Sequence, residues 1–397
     1  MVSENMRMIG AHRSCIRELF EYGMEYAKVV GRENVFDFSI GNPSTPAPEE
    51  VRDSILASLE TLSSAQLNGY TCAAGDYAAR QRIVDSVNRK IGGSYKADDL
   101  FLTCGAAPAV IACAKGLTVD HNSQFLVNAP HFSEYRPYIE PHGGTVVSAK
   151  PDYPNFQLNF ESLGELLNEH TQAVIINSPN NPTGVIYSEE TIRRLASLLA
   201  ERSKQYGHPI YIISDEPYRE LTFDGIEVPW VPHFYADTLV CYSYSKALSL
   251  PGQRIGWILF SDKMTDAAAV HQAVVGAARS IGHVCAPTLY QRVAADCCDV
   301  KPDVEVYRHN RDLLYNGLCE IGYDCVRPQG AFYMFVKAPC GDGDAFSELA
   351  KKHGVLVVPA HDFGCPDYVR ISFCVEAERI ESSMPLFRRI WEEVHGL

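Results

Sequence analysis

The sequence predicts an α/β protein. A large domain over residues 46–299 is built on a mostly parallel sheet flanked by helices, and a smaller α+β domain is assembled from residues 1–45 and 300–397. Three observations lead to this. Short, wholly apolar runs alternate with longer helical patterns from about residue 100 to 260, as strands joined by crossover helices do. After about residue 300 the order changes to helix, strand, helix, strand, strand, helix. The chain of 397 residues is long enough for two or three domains at ~150 residues each, while residues 1–45 carry too few apolar positions to form a core alone.

In chain order, 173–177 (Ala-Val-Ile-Ile-Asn), 209–215 (Pro-Ile-Tyr-Ile-Ile-Ser-Asp) and 239–243 (Leu-Val-Cys-Tyr-Ser) read as strands covered on both faces. Each ends in polar residues, and in an open α/β sheet that end carries the site. Between the first two, 188–206 reads as an amphipathic helix with Ser188 as N-cap, Glu190 in its first turn, and Ile192, Leu195, Leu198 and Leu199 on one face. Further on, the pattern predicts a helix over 303–321, a strand over 331–336, a helix over 344–353, and strands over 355–358 and 368–373.

Composition removes several classes of function. Hydrophobic residues make up 46% and charged residues 21%, as in folded soluble chains rather than disordered ones. With 35 Lys+Arg against 49 Asp+Glu the net charge is −14, which opposes a nucleic-acid backbone or an anionic membrane as main partner. Thirteen scattered cysteines without a C-x-x-C pair suit buried thiols in a reducing cytoplasm. Met1–Gly10 lacks the apolar stretch of a signal peptide, and no apolar run approaches the ~20 residues of a spanning helix. No metal-ligand spacing stands out.

Chemistry concentrates in 243–257, Ser-Tyr-Ser-Lys-Ala-Leu-Ser-Leu-Pro-Gly-Gln-Arg-Ile-Gly-Trp. Lys246 follows a buried strand, the hydroxyls of Ser243 and Ser245 flank it, and Arg254 stands eight residues later beside a Pro-Gly turn. Such a set can serve an anionic aldehyde cofactor, the lysine condensing to an imine and the arginine pairing with a phosphate. Taken singly, Lys246 is a solvated lysine and Arg254 an ion-pair residue. Asn177-Ser178-Pro179-Asn180-Asn181-Pro182-Thr183-Gly184 and Ser214-Asp215-Glu216-Pro217-Tyr218 both follow strands; on local grounds the first is a turn and the second a helix cap.

Together these segments resemble the fold-type I pyridoxal-phosphate enzymes, specifically the class I and II aminotransferases related to aspartate aminotransferase. The S-x-S-K and P-G-x-R-x-G-W stretch is similar to their cofactor-lysine signature, and the similarity runs in family order from about residue 36 to 375. It implies a seven-stranded-type large sheet and pyridoxal 5'-phosphate as cofactor. Lys246, Asp215 and Tyr218 are then the catalytic residues: Asp215 pairs with the pyridinium nitrogen, and Asn181 and Tyr218 bond the phenolic oxygen. Gly105, Ala106 and Ala107 offer backbone to the phosphate along with Ser243, Ser245 and Arg254, although the family commonly has a polar side chain where this chain has Ala-Ala-Pro. Phe132 takes the ring-stacking position, in place of the commoner tryptophan or tyrosine. Arg370 in Tyr368-Val369-Arg370-Ile371-Ser372 is the clamp for the substrate α-carboxylate, with Gly41 and Asn181 beside it. Tyr70 reaches the phosphate of a neighbouring subunit, which implies a homodimer with shared sites.

The reaction so implied moves an amino group between an L-amino acid and a 2-oxo acid by a ping-pong mechanism. A carbon–sulfur β-lyase on the same scaffold and an aminotransferase-like regulatory module are the alternatives. The latter needs a DNA-binding extension, for which the 35 residues before Phe36 hold no basic recognition helix. Arg279 lies near the region from which dicarboxylate-specific relatives extend an arginine across the dimer, at an imperfect spacing to Pro287; a surface or interface ion pair is its other reading. Acidic, aromatic and other neutral amino acids all remain open as substrates.

Overall fold

The computed structural model describes residues 1–11, 14–261 and 263–397. A mixed sheet of seven strands forms its centre, in the spatial order Leu100–Thr103, Gly256–Phe260, Thr238–Ser243, Tyr211–Asp215, Thr171–Asn177, Gln124–Asn128 and Thr145–Ala149. All pairs are parallel except those made by Gly256–Phe260, which runs against both neighbours.

The three strands expected at 173–177, 209–215 and 239–243 are the middle of this sheet, and each is buried along its length. Alternation along them divides the apolar residues between two layers. Val127, Ile175, Ile213 and Cys241 face the helices Ala106–Leu117 and Ala267–Ser280. Leu126, Val174, Ile176 and Ile212 face the helix Glu189–Tyr206. That helix starts as its sequence demands, the Ser188 hydroxyl accepting from the Thr191 amide at 3.1 Å. Ala106–Leu117 and Ala267–Ser280 approach so closely that a Cβ on Gly116 would lie 2.9 Å from the Val274 Cα.

The carboxy-terminal third supplies a four-stranded antiparallel sheet, ordered Val358–Pro359, Tyr368–Ser372, Tyr333–Lys337 and Cys325–Val326. The helices Val304–Ile321 and Ala377–His395 pack together beside it.

Two expectations are corrected here. The strand predicted from 331 begins at Tyr333, because Ala331 has φ +57° and cannot continue an extended chain. The single strand predicted over 355–358 is two. Val355–Leu356 pairs in parallel with Phe36–Asp37, and the chain then crosses to pair Val358 with Arg370. The first partner comes from more than 300 residues upstream, which no local pattern reveals. No helix of the described residues is long and apolar enough to cross a membrane.

Candidate active site

The polar ends of the central strands lie in register. Asn177 is paired with Asp215, Asp215 with Cys241, and Ser243 with Gly256, so their side chains meet along one edge of the sheet. Above that edge lies a cleft of about 470 Å³, closed from the other side by Tyr333 and Arg370 of the four-stranded sheet and by Gly41 of the amino-terminal segment. Of the residues expected to form the site, Gly41, Ala106, Ala107, Phe132, Asn181, Asp215, Tyr218, Ser243, Ser245, Lys246, Arg254 and Arg370 line this cleft. Gly105 sits just behind it.

Lys246 belongs to the short helix Tyr244–Ala247, which follows its strand without a loop. Its Nζ donates to the Gly41 carbonyl at 2.5 Å and lies 5.3 Å from the centre of the Phe332 ring. Burial holds this amine down to about 8; the Cys374 thiol opposes the shift, and the charges of Arg370 and Arg254 add to it. A lysine near 8 has a substantial neutral fraction, the form that attacks a carbonyl or takes a proton.

Asp215 is the last residue of its strand. Its Oδ2 accepts from the Tyr135 hydroxyl at 2.8 Å, while the buried Oδ1 has no partner. Burial pushes the carboxyl up to about 7, against the Tyr135 hydrogen bond and with help from the Glu216 charge. An unpartnered buried carboxylate oxygen costs free energy, and a cationic N–H placed opposite it would remove that cost.

Asn177 ties this edge to the next loop. Its Nδ2 donates to the Asp215 carbonyl at 2.8 Å and its Oδ1 accepts from the Asn181 amide at 2.7 Å. The Asn181 Oδ1 in turn accepts from Arg370 Nη1 at 3.1 Å.

Arg370 is 2% exposed, and among the described residues its fork meets only neutral partners, Asn181 and the Ser39 carbonyl, with Nε left without an acceptor. The guanidinium carbon lies 4.5 Å from the Tyr333 ring centre. A buried cation without a counter-charge is a seat for an anion.

A second anion seat is built around Arg254. This residue adopts φ +52°, and its Nη1 donates to the Pro251 carbonyl at 3.0 Å and lies 3.5 Å from the Ser245 hydroxyl. Ser245 and Ser243 share a hydrogen bond of 2.7 Å. A Cβ on Gly105 would lie 2.6 Å from Arg254 Nη2, so glycine alone leaves the guanidinium room there. The helix Ala106–Leu117 starts at this point and presents the amides of Ala106 and Ala107; Pro108 has none to offer.

Phe132 lines the cleft edge-on to Tyr135 and Tyr138, at centroid distances of 5.7 and 6.2 Å. Tyr70 is not brought into the cleft of its own chain and is 85% exposed. Arg279 lies exposed in the last turn of Ala267–Ser280, also outside it.

Sequence reasoning missed Tyr135 and Tyr333. The first follows Phe132 by three residues, as the carboxylate partner that only the folded sheet reveals. The Tyr333 hydroxyl is 2.9 Å from that of Tyr218, and a Cβ on Gly41 would sit 1.9 Å from it. In sequence Tyr333 is one more aromatic residue of an apolar strand, so no signal separates it from core.

The family profile for aminotransferase class I and II matches residues 33–384. The chain belongs to this family. A class I and II aminotransferase transfers an amino group between an amino acid and a 2-oxo acid with pyridoxal phosphate as the family's cofactor. Its relatives include an aspartate aminotransferase of Thermotoga maritima, 29% identical over 357 residues that cover 89% of this chain and 90% of that protein. An amino transferase from Eubacterium rectale superposes with a TM-score of 0.97 at 50% identity, covering 99% of both chains. The aspartate aminotransferase of Thermus thermophilus, solved with maleate, gives 0.87 at 25% identity, covering 98% of this chain and 100% of that one.

Proposed function

We propose that the cleft binds pyridoxal 5'-phosphate and catalyses transamination with the residues just described. The observation that carries this reading is the unpartnered Oδ1 of Asp215, set in the same cleft as a partly neutral lysine and two separate anion seats. Arg254, Ser243, Ser245 and the backbone of Gly105, Ala106 and Ala107 would hold the phosphate. Asp215 would face the ring nitrogen, Asn181 and Tyr218 the phenolic oxygen, and Phe132 the ring. When bound, the cofactor supplies a protonated ring that accepts electrons released at the substrate α-carbon.

The chain's own groups do the rest. Arg370 grips the α-carboxylate through its planar fork, with Asn181 and Gly41 beside it, and so fixes which α-substituent faces Lys246. The Nζ of Lys246, as a neutral amine, takes the proton from the α-carbon and later returns one, acting as base and then acid. A positive partner standing against Asp215 would keep it ionised, since burial alone raises its affinity for protons.

The same reading divides the chain into a large domain, 46–299, and a small one formed by 1–45 and 300–397. It also makes the enzyme a homodimer, for which the exposed Tyr70 is a ready contact with a second copy's phosphate seat. The thirteen cysteines are all unpaired, which suits the cytoplasm.

The test is to load the protein with the cofactor and add single amino acids, aspartate and glutamate first because several relatives bear the former's name. Alanine and phenylalanine follow. Loss of the cofactor's bound absorbance together with one equivalent of the matching 2-oxo acid is expected. Ammonia and pyruvate from cystathionine, or no response to any amino acid, would refute transamination.

A further inference from the structure

A second carboxylate is hidden directly behind Asp215. Along the strand Tyr211–Asp215 side chains alternate, so Asp215 faces the cleft while Ser214 and Glu216 face away from it. The extended chain carries through Glu216, whose amide donates to the Cys241 carbonyl at 2.8 Å. Glu216 is 1% exposed and does not line the cleft, and the transamination reading gives it no work. Its charge nevertheless reaches Asp215, where it adds to the effect of burial in favouring the protonated carboxyl.

Arg219 meets that charge. Its Nη1 donates to Glu216 Oε2 at 2.6 Å, and the Ser214 hydroxyl donates to Oε1 at 2.7 Å. Among the described residues these two side chains hold the Glu216 carboxylate, and Arg219 is the cation of the pair. The guanidinium is itself fixed: Nη2 donates to the Val228 carbonyl at 2.8 Å, and its carbon lies 4.8 Å from the centre of the Trp230 ring. The next carboxylate along the chain, Glu220, is bonded instead by the Tyr242 hydroxyl at 2.8 Å. A buried ion pair adds little net stability over apolar side chains of like volume, so where this pair stands matters more than its strength. A bare negative charge at this place would hold a proton on Asp215 and deny it to a ring nitrogen facing that carboxylate.

We propose that Arg219 is a positioning residue for the reaction: by pairing with Glu216 it cancels the charge behind Asp215 and leaves Asp215 able to keep its own negative charge against the cofactor's ring nitrogen. The inference rests on the transamination reading of the cleft. Arg219 touches neither cofactor nor substrate and acts only through Glu216.

The test measures the dissociation constants of pyridoxal 5'-phosphate and of its 1-deaza analogue, in which C–H replaces the ring nitrogen, by fluorescence titration of the cofactor-free protein. The ratio of the two isolates what Asp215 does at that nitrogen. Arg219→Gln should lower the preference for pyridoxal 5'-phosphate about tenfold, with the affinity for the analogue within about twofold of wild type. Arg219→Lys, which keeps the charge, and the double variant Glu216→Gln/Arg219→Gln, which removes both charges, should restore the preference. If Arg219→Gln does not fold, Glu216→Gln carries the test. It leaves the positive charge of Arg219 uncompensated behind Asp215, so the preference should rise severalfold, and an unchanged one would overturn the proposal. An equal loss of both ligands in Arg219→Gln, or no recovery in the double variant, would overturn it as well, since a merely structural turn is indifferent to the ring atom. Wild-type protein that binds neither compound, or both equally, would instead refute the placement of the cofactor against Asp215, and the proposal would fall with it.

Discussion

The two sheets contribute to the cleft in different ways. The central sheet offers side chains at strand ends, Asn177, Asp215 and Ser243, which parallel register brings side by side and which lead directly into Asn181 and Lys246. The four-stranded sheet offers Arg370 from the middle of one strand, paired with Phe335, and Tyr333 from the first position of the next, paired with Ser372. Groups of the first kind are placed by the register of neighbouring strands within one sheet and the turns that follow them. Those of the second kind depend on the two sheets meeting, and they are held by Ser39, Gly41 and Asn181 from distant parts of the chain. On the reading above, the cofactor side of the site is thus assembled within the central sheet and its helices, and the substrate side where the two sheets meet.

Substitutions can separate the two. Lys246→Ala removes the amine of the central edge and should abolish turnover, while the Arg254 seat still retains cofactor that dialysis removes more readily. Activity in that variant would break the comparison at its strongest point. Arg370→Gln should keep cofactor binding normal and lower kcat/KM by roughly a hundredfold, about 3 kcal/mol for two charge-assisted hydrogen bonds. Cofactor loss in parallel would show that the sheets do not divide the work.

The pH dependence tests the central edge alone. Lys246 titrates at about 8, and its neutral form is the nucleophile, so uptake of pyridoxal phosphate by the cofactor-free protein should speed up as pH rises through that value. The expected gain in rate is roughly tenfold from pH 7 to 9, read by absorbance; a rate that is flat or falls would contradict the burial argument. The smallest effect belongs to Tyr333→Phe. It removes the hydroxyl bonded to Tyr218 and keeps the ring against Arg370, so kcat/KM should fall only about fivefold, near 1 kcal/mol, and the stability of the cofactor-free protein by about 1 kcal/mol in denaturant titration.

Much of this was legible in the chain itself. Continuous apolar runs identified the strands around Asn177, Asp215 and Ser243, and the capping hydroxyl of Ser188 marked the start of its helix, because each depends on residues a few positions apart. The 243–257 segment likewise carries Lys246 and Arg254 within one turn-and-strand unit. Tertiary contact decided the rest. It split 355–358 between two sheets, gave Asp215 its Tyr135 partner and left the other oxygen bare, lowered the proton affinity of Lys246 by burial, and set Tyr333 against Gly41. Periodicity and capping report the free energy of neighbours along the chain; desolvation, register and close approach are set by which distant segments exclude water from one another, and that exists only once the sheets have met.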